Sequence, residues 1–136
     1  MRVVIDTNIW ISFLIGRTLA GLSEAILNDK IKILFSEELL DELIEVLQRP
    51  KFKKYFSQDD ITELLSLLHA KTEQIDITTR FSDCRDSKDN FLLDLCVSGN
   101  ADYLITGDED LLVMNPFQGV EIVTYRLFQD ILQCID

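Results

Sequence analysis

Two hydrophobic periods alternate along this chain. The runs RVVID (Arg2–Asp6), IKILF (Ile31–Phe35), EQIDI (Glu73–Ile77), DYLIT (Asp102–Thr106) and VEIVT (Val120–Thr124) are short and rich in β-branched residues, so they predict five strands. Between them the apolar positions recur at helical spacing. That spacing predicts helices from Asn8 to about Leu14, over Leu19–Asn28, from Glu37 to about Gln48, over Gln58–Lys71, from Asp86–Asp89 to near Gly99, and from about Arg126 onward. Ser36 and Ser57 are suited to cap their helices, and Glu37 and Glu38 complement a helix dipole. Pro50 stops one helix, and Gly99 is expected as a C′ glycine closing another. Strands alternating with helices predict an α/β fold of three layers, α/β/α, around a central, mostly parallel sheet of about five strands. No repeat or linker divides residues 1–136, so a single domain is expected.

Composition narrows the chemistry. With 47% hydrophobic residues, 2 Pro and 5 Gly, the chain is neither disordered nor collagen-like. Histidine occurs once, at His69 in a leucine-rich stretch, which excludes a multi-histidine metal site. The three cysteines (Cys84, Cys96, Cys134) form no CxxC pair, so zinc ribbons and a disulfide framework are not expected and a reducing cytoplasm fits. Cys96 lies among apolar residues and reads as core filling. The apolar run Ile9–Ile15 is too short to span a bilayer, so no membrane association is expected. Neither GxxxxGK[ST] nor GxGxxG occurs. The formal net charge of −11 opposes diffuse attraction to nucleic acid.

Acids stand where strands should end. Asp6 closes the first strand, and Asp108 lies two residues past Thr106. In a parallel sheet both would emerge at the carboxyl edge, where ligands bind, although turn aspartates favour the same places. Within SEELLDELIEVLQ, Glu42 and Glu37 lie on the two rims of the apolar stripe, and periodicity does not choose between them. Asp86 and Asp89 open a helix in RDSKDNFLLDLC, where a capping box would also use them. Converging carboxylates repel one another, and a hard divalent cation relieves that repulsion. Oxygen-only ligation favours Mg²⁺ or Mn²⁺ and makes phosphodiester hydrolysis the natural reaction.

The segments VVIDTNIWIS, SEELLDEL, RDSKDNFLLDLC and ADYLITGDEDLL, in this order, resemble the PIN-domain family, in particular the toxin components of toxin–antitoxin systems (VapC-like ribonucleases). The resemblance spans essentially the whole chain. It implies a metal-dependent endoribonuclease with catalytic acids at Asp6, Glu42, Asp89 and Asp108, of which Asp6, Asp89 and Asp108 bind Mg²⁺ or Mn²⁺. It places Asn8 and Thr106 as polar supports, with Asp110 and Asp86 as neighbours, and leaves open whether Asp108 or Asp110 is the closer ligand. It also implies an RNA substrate, an antitoxin partner and a homodimer. Water would attack a backbone phosphorus in line, leaving 5′-phosphate and 3′-hydroxyl ends. A catalytically silent PIN-fold RNA-binding or scaffold module and a different Mg-dependent phosphohydrolase are the rival readings.

The cations have their own pattern. Arg49, Lys51, Lys53 and Lys54 fall within RPKFKKYF, interleaved with three aromatic residues. Such a segment suits an RNA-contacting arm. A solvated loop that anchors its aromatics in the core suits it equally.

Overall fold

The computed structural model describes residues 1–16, 30–82 and 89–134. Its centre is a five-stranded sheet in which every pairing is parallel, built from β1 (Arg2–Ile5), β2 (Lys32–Phe35), β3 (Thr72–Gln74), β4 (Tyr103–Ile105) and β5 (Glu121–Val123). The order is β3-β2-β1-β4-β5. Val3, Val4 and Ile5 of β1 are all 0% exposed, so alternate side chains are covered on opposite faces of the sheet. That double burial requires helices on both sides and gives a three-layer α/β/α fold.

Six α-helices lie among the described residues: α1 (Thr7–Gly16), α2 (Glu37–Leu47), α3 (Gln58–Lys71), α4 (Asn90–Ser98), α5 (Glu109–Leu112) and α6 (Tyr125–Gln133). The helix expected over Leu19–Asn28 lies outside the described residues. Ser36 caps α2 by accepting the Leu39 N–H at 3.2 Å, and Ser57 closes a full capping box with Asp60. Phe128 of α6 packs edge-on against Tyr103 of β4, and Trp10 of α1 meets Phe35 of β2. None of these helices is long and apolar enough to cross a membrane.

Three expectations change. The third strand is Thr72–Gln74, not Glu73–Ile77, because α3 runs directly into it and pairing with β2 ends opposite Phe35. The one-turn helix α5 was not expected, since its four residues are too few to show a period. Gly99 is not a left-handed C′ residue, since its φ is −95° and Asn100 takes the left-handed conformation at φ 54°. Glycine stands at 99 for space: a Cβ there would lie 2.9 Å from Leu34 Cδ1.

Candidate active site

The strand order reverses at β1. The chain proceeds outward through β2 and β3, then returns to the other side of β1 as β4 and β5. The carboxyl ends of β1 and β4 therefore flank the crevice of an open parallel sheet. Asp6 follows β1 directly, and its N–H donates to the Ile105 carbonyl at 2.9 Å, which sets it beside the end of β4. Asp6 is only 7% exposed.

Short hydrogen bonds tie this aspartate to its surroundings. Thr106, fully buried, donates its hydroxyl to Asp6 Oδ2 at 2.7 Å and accepts the Asp108 N–H at 3.0 Å. Asp108 accepts the Asp110 N–H at 2.9 Å, and so caps α5. On the other side, Thr7 donates its hydroxyl to Glu42 Oε2 at 2.5 Å. Thr7 is 4% exposed, and its backbone N–H also supports the Asp6 carboxylate. Glu42 is half-buried while Glu37 is exposed, so the packing of α2 on α1 makes the choice that periodicity left open.

Burial raises the Asp6 pKa above the ordinary carboxylate value. The Thr106 hydrogen bond opposes the rise, while the charges of Glu42 and then Asp108 add to it. The charge of Asp108 is felt at Asp6.

Asp89 reaches the same edge from a different element. It is the N-cap residue of α4, and its side chain makes no capping hydrogen bond. Gly99, at the far end of α4, accepts from Arg2 Nε at 2.8 Å, next to the amino end of β1. Nine helical residues span about 13 Å, close to the length of a four-residue strand at about 3.3 Å per residue. The amino end of α4, packed against β1, therefore lies at the carboxyl edge with Asp6. Asp86 lies outside the described residues. Asn8 is exposed in the first turn of α1, and the hydroxyl that meets Glu42 comes from its neighbour Thr7.

Sequence reasoning passed over Thr7 and Asp94. Asp94 is 4% exposed within α4, accepts the Phe81 N–H at 2.7 Å and lies 3.5 Å from Arg80, which also bonds Glu38 at 2.6 Å. It fixes residues 80–82 against α4 ahead of Asp89. An aspartate within an apolar helical run was the available signal.

The donor set suits a hard divalent cation. All the acids offer oxygen, and Asp6 is buried among neighbours that oppose its ionisation. Among the described residues no three His, Cys, Asp or Glu side chains are gathered closely enough to cage an ion. Mg²⁺ commonly keeps several waters and takes only one or two carboxylates, so an open site fits it.

The basic segment lies apart from these acids. Residues Pro50–Phe52 form a 3-10 turn, Phe52 and Phe56 pack against the core, and Tyr55 is 48% exposed. Arg49 pairs with Glu45 at 3.5 Å, whereas Lys51, Lys53 and Lys54 are exposed and form no salt bridge to a described residue.

The structure is thus an all-parallel α/β domain with a buried aspartate at the switch point of its sheet. The sequence pattern of the PIN domain matches residues 2–110. The uncharacterized protein MJ1680 of Methanocaldococcus jannaschii is 33% identical over 115 residues, covering 82% of this chain and 74% of that protein. The chain belongs to the PIN-domain family of nucleases, whose members generally use divalent metals. Its fold is similar to a chain in the crystal structure of VapBC2 from Rickettsia felis bound to a DNA fragment from their promoter. The TM-score is 0.58 at 17% identity, covering 92% of this chain and 99% of that one.

Proposed function

We propose that this chain is an endoribonuclease dependent on Mg²⁺ or Mn²⁺ and the toxin of a toxin–antitoxin pair. The observation that carries the reading is Asp6, buried at the β1–β4 switch point within reach of the charges of Glu42 and Asp108. Asp6, Asp89 and Asp108 would hold the cation, one or two directly and the rest through its bound waters. When bound, it would polarise a phosphoryl oxygen and lower the pKa of a water. Thr106 holds the Asp6 carboxylate in place, and Thr7 holds Glu42. Glu42 would then orient the attacking water in line with the backbone phosphorus. The bond from phosphorus to the 3′ oxygen would break as the bond to water forms, the water's proton passing to solvent and the 3′ oxygen taking one up from solvent, giving 5′-phosphate and 3′-hydroxyl ends.

The fold is shared with a VapBC2 chain, and the proposal includes an antitoxin partner, a homodimer and a cytoplasmic setting. Incubation of a mixed RNA pool with the purified chain tests the proposal. Cleavage in Mg²⁺ or Mn²⁺, abolished by chelation and leaving 5′-phosphates, is expected. Release of inorganic phosphate from a small ester with RNA left intact would indicate a phosphatase, and binding without cleavage a scaffold; either result contradicts the proposal.

A further inference from the structure

The basic segment adjoins a cavity of about 470 Å³ lined by Leu47, Gln48, Lys53, Phe56, Gln58 and Ile61. Its lining residues are of three kinds: a phenylalanine with aliphatic neighbours, two glutamines and one lysine. An apolar wall alone would suit any greasy side chain. Two amides, each offering donors and an acceptor, suit a flat ring edged with nitrogen and oxygen. Lys53, which is exposed, suits the backbone phosphate of a nucleotide that carries such a ring.

Charge points the same way. The stretch Arg49–Phe56 carries four cations and no acid in a chain of net charge −11. Lys51 and Lys54 lie over the rings of Phe52 and Tyr55 at 5.0 and 5.1 Å, and Tyr55 remains 48% exposed beside Phe56, ring centroids 6.3 Å apart. An exposed tyrosine among lysines that form no salt bridge to a described residue has the pattern of a stacking platform for single strands. The arm is tied to the site through α2: Gln48 is the C-cap of the helix that carries Glu42, about 9 Å of helix axis further from the carboxyl edge of the sheet.

We infer that this cavity and the Lys51–Tyr55 arm form a nucleotide-binding subsite for single-stranded RNA. One base enters between Phe56 and the Gln48 and Gln58 amides, its phosphate meets Lys53, and the next base stacks on Tyr55. The inference rests on the ribonuclease reading and gives that site a means of holding its substrate away from the acidic edge, where the protein's own charge repels RNA.

Binding of a fluorescent ten-nucleotide single-stranded RNA to the full chain in EDTA tests it without requiring cleavage. The exposed triple variant Lys51→Glu, Lys53→Glu, Lys54→Glu should lose at least about tenfold in affinity and reduce the salt slope by about 2. Tyr55→Ala should lose about tenfold with the slope unchanged. Thermal unfolding checks that both variants fold. Unaltered binding in both overturns the subsite, including the case in which the arm serves a protein partner. A loss in the lysine variant alone overturns the stacking part. Cleavage of RNA together with unaltered variant binding overturns this inference and not the nuclease. Variant-sensitive binding without any RNA cleavage does the reverse.

Discussion

The hydroxyl of Thr7 donates to Glu42 Oε2 at 2.5 Å, joining the residue next to Asp6 to a carboxylate 35 positions away on α2. Because the Thr7 N–H also supports Asp6, one residue sets the spacing of two acids. Removal of a support of this kind commonly costs about 10–100-fold in metal affinity or activity. Thr7→Val should lower RNA cleavage and Mn²⁺ affinity, measured calorimetrically, by that order. Thr7→Ser should keep most of both. Equal values for Thr7→Val and the unaltered chain would remove Thr7 from the site.

Asp6 also links the site to stability. Its folded-state pKa is raised, chiefly by burial, so between the ordinary carboxylate value and the raised one the folded chain holds a proton that the unfolded chain has released. The contribution of Asp6 is therefore fully present below the ordinary value and is lost as pH rises through the raised one. Asp6→Asn removes this loss. In the absence of metal, the stability of Asp6→Asn relative to the unaltered chain should increase from pH 4 to pH 7.5, read by denaturant unfolding. Added Mg²⁺ should stabilise the unaltered chain at neutral pH and leave Asp6→Asn little changed.

Asp94 holds the approach to Asp89. Asp94→Ala leaves the Phe81 N–H and the Arg80 guanidinium without their buried acceptor. It should destabilise the fold by about 1–3 kcal/mol, measured by urea unfolding. Arg80→Ala should cost less, because Arg80 is 65% exposed and its ion pairs are screened.

Gly99→Ala tests the close packing behind β2. The added methyl would meet Leu34 Cδ1 at 2.9 Å and the Leu95 carbonyl oxygen at 3.1 Å. Overpacking of this kind should cost about 1–3 kcal/mol in unfolding free energy. An unchanged midpoint would show that Leu34 moves aside freely.

The five strands were legible because β-branched runs such as Val3–Ile5 are buried on both faces and carry no helical period. Asp6 was legible because it ends such a run. The boundary of β3 was not, since where a strand stops depends on its partner Phe35, far away in sequence. Gly99 was read as a turn glycine because sequence shows the missing Cβ and not the Leu34 methyl that fills its place. Glu42 and Glu37 were equivalent on a helical wheel, and only the arrival of Thr7 from α1 separates them. Thr7 lay within the VVIDTNIWIS segment but was not singled out there, since a threonine after a strand has many uses.

Asp6→Asn, assayed for RNA cleavage in Mg²⁺, tests the central claim most directly. The substitution keeps the size of the side chain and an oxygen for the Thr106 hydroxyl, and removes the charge that would hold the cation. Several kcal/mol of transition-state stabilisation lost corresponds to about a thousandfold fall in rate, with thermal unfolding showing an intact fold. Cleavage by Asp6→Asn at the unaltered rate, still dependent on Mg²⁺, would contradict the account.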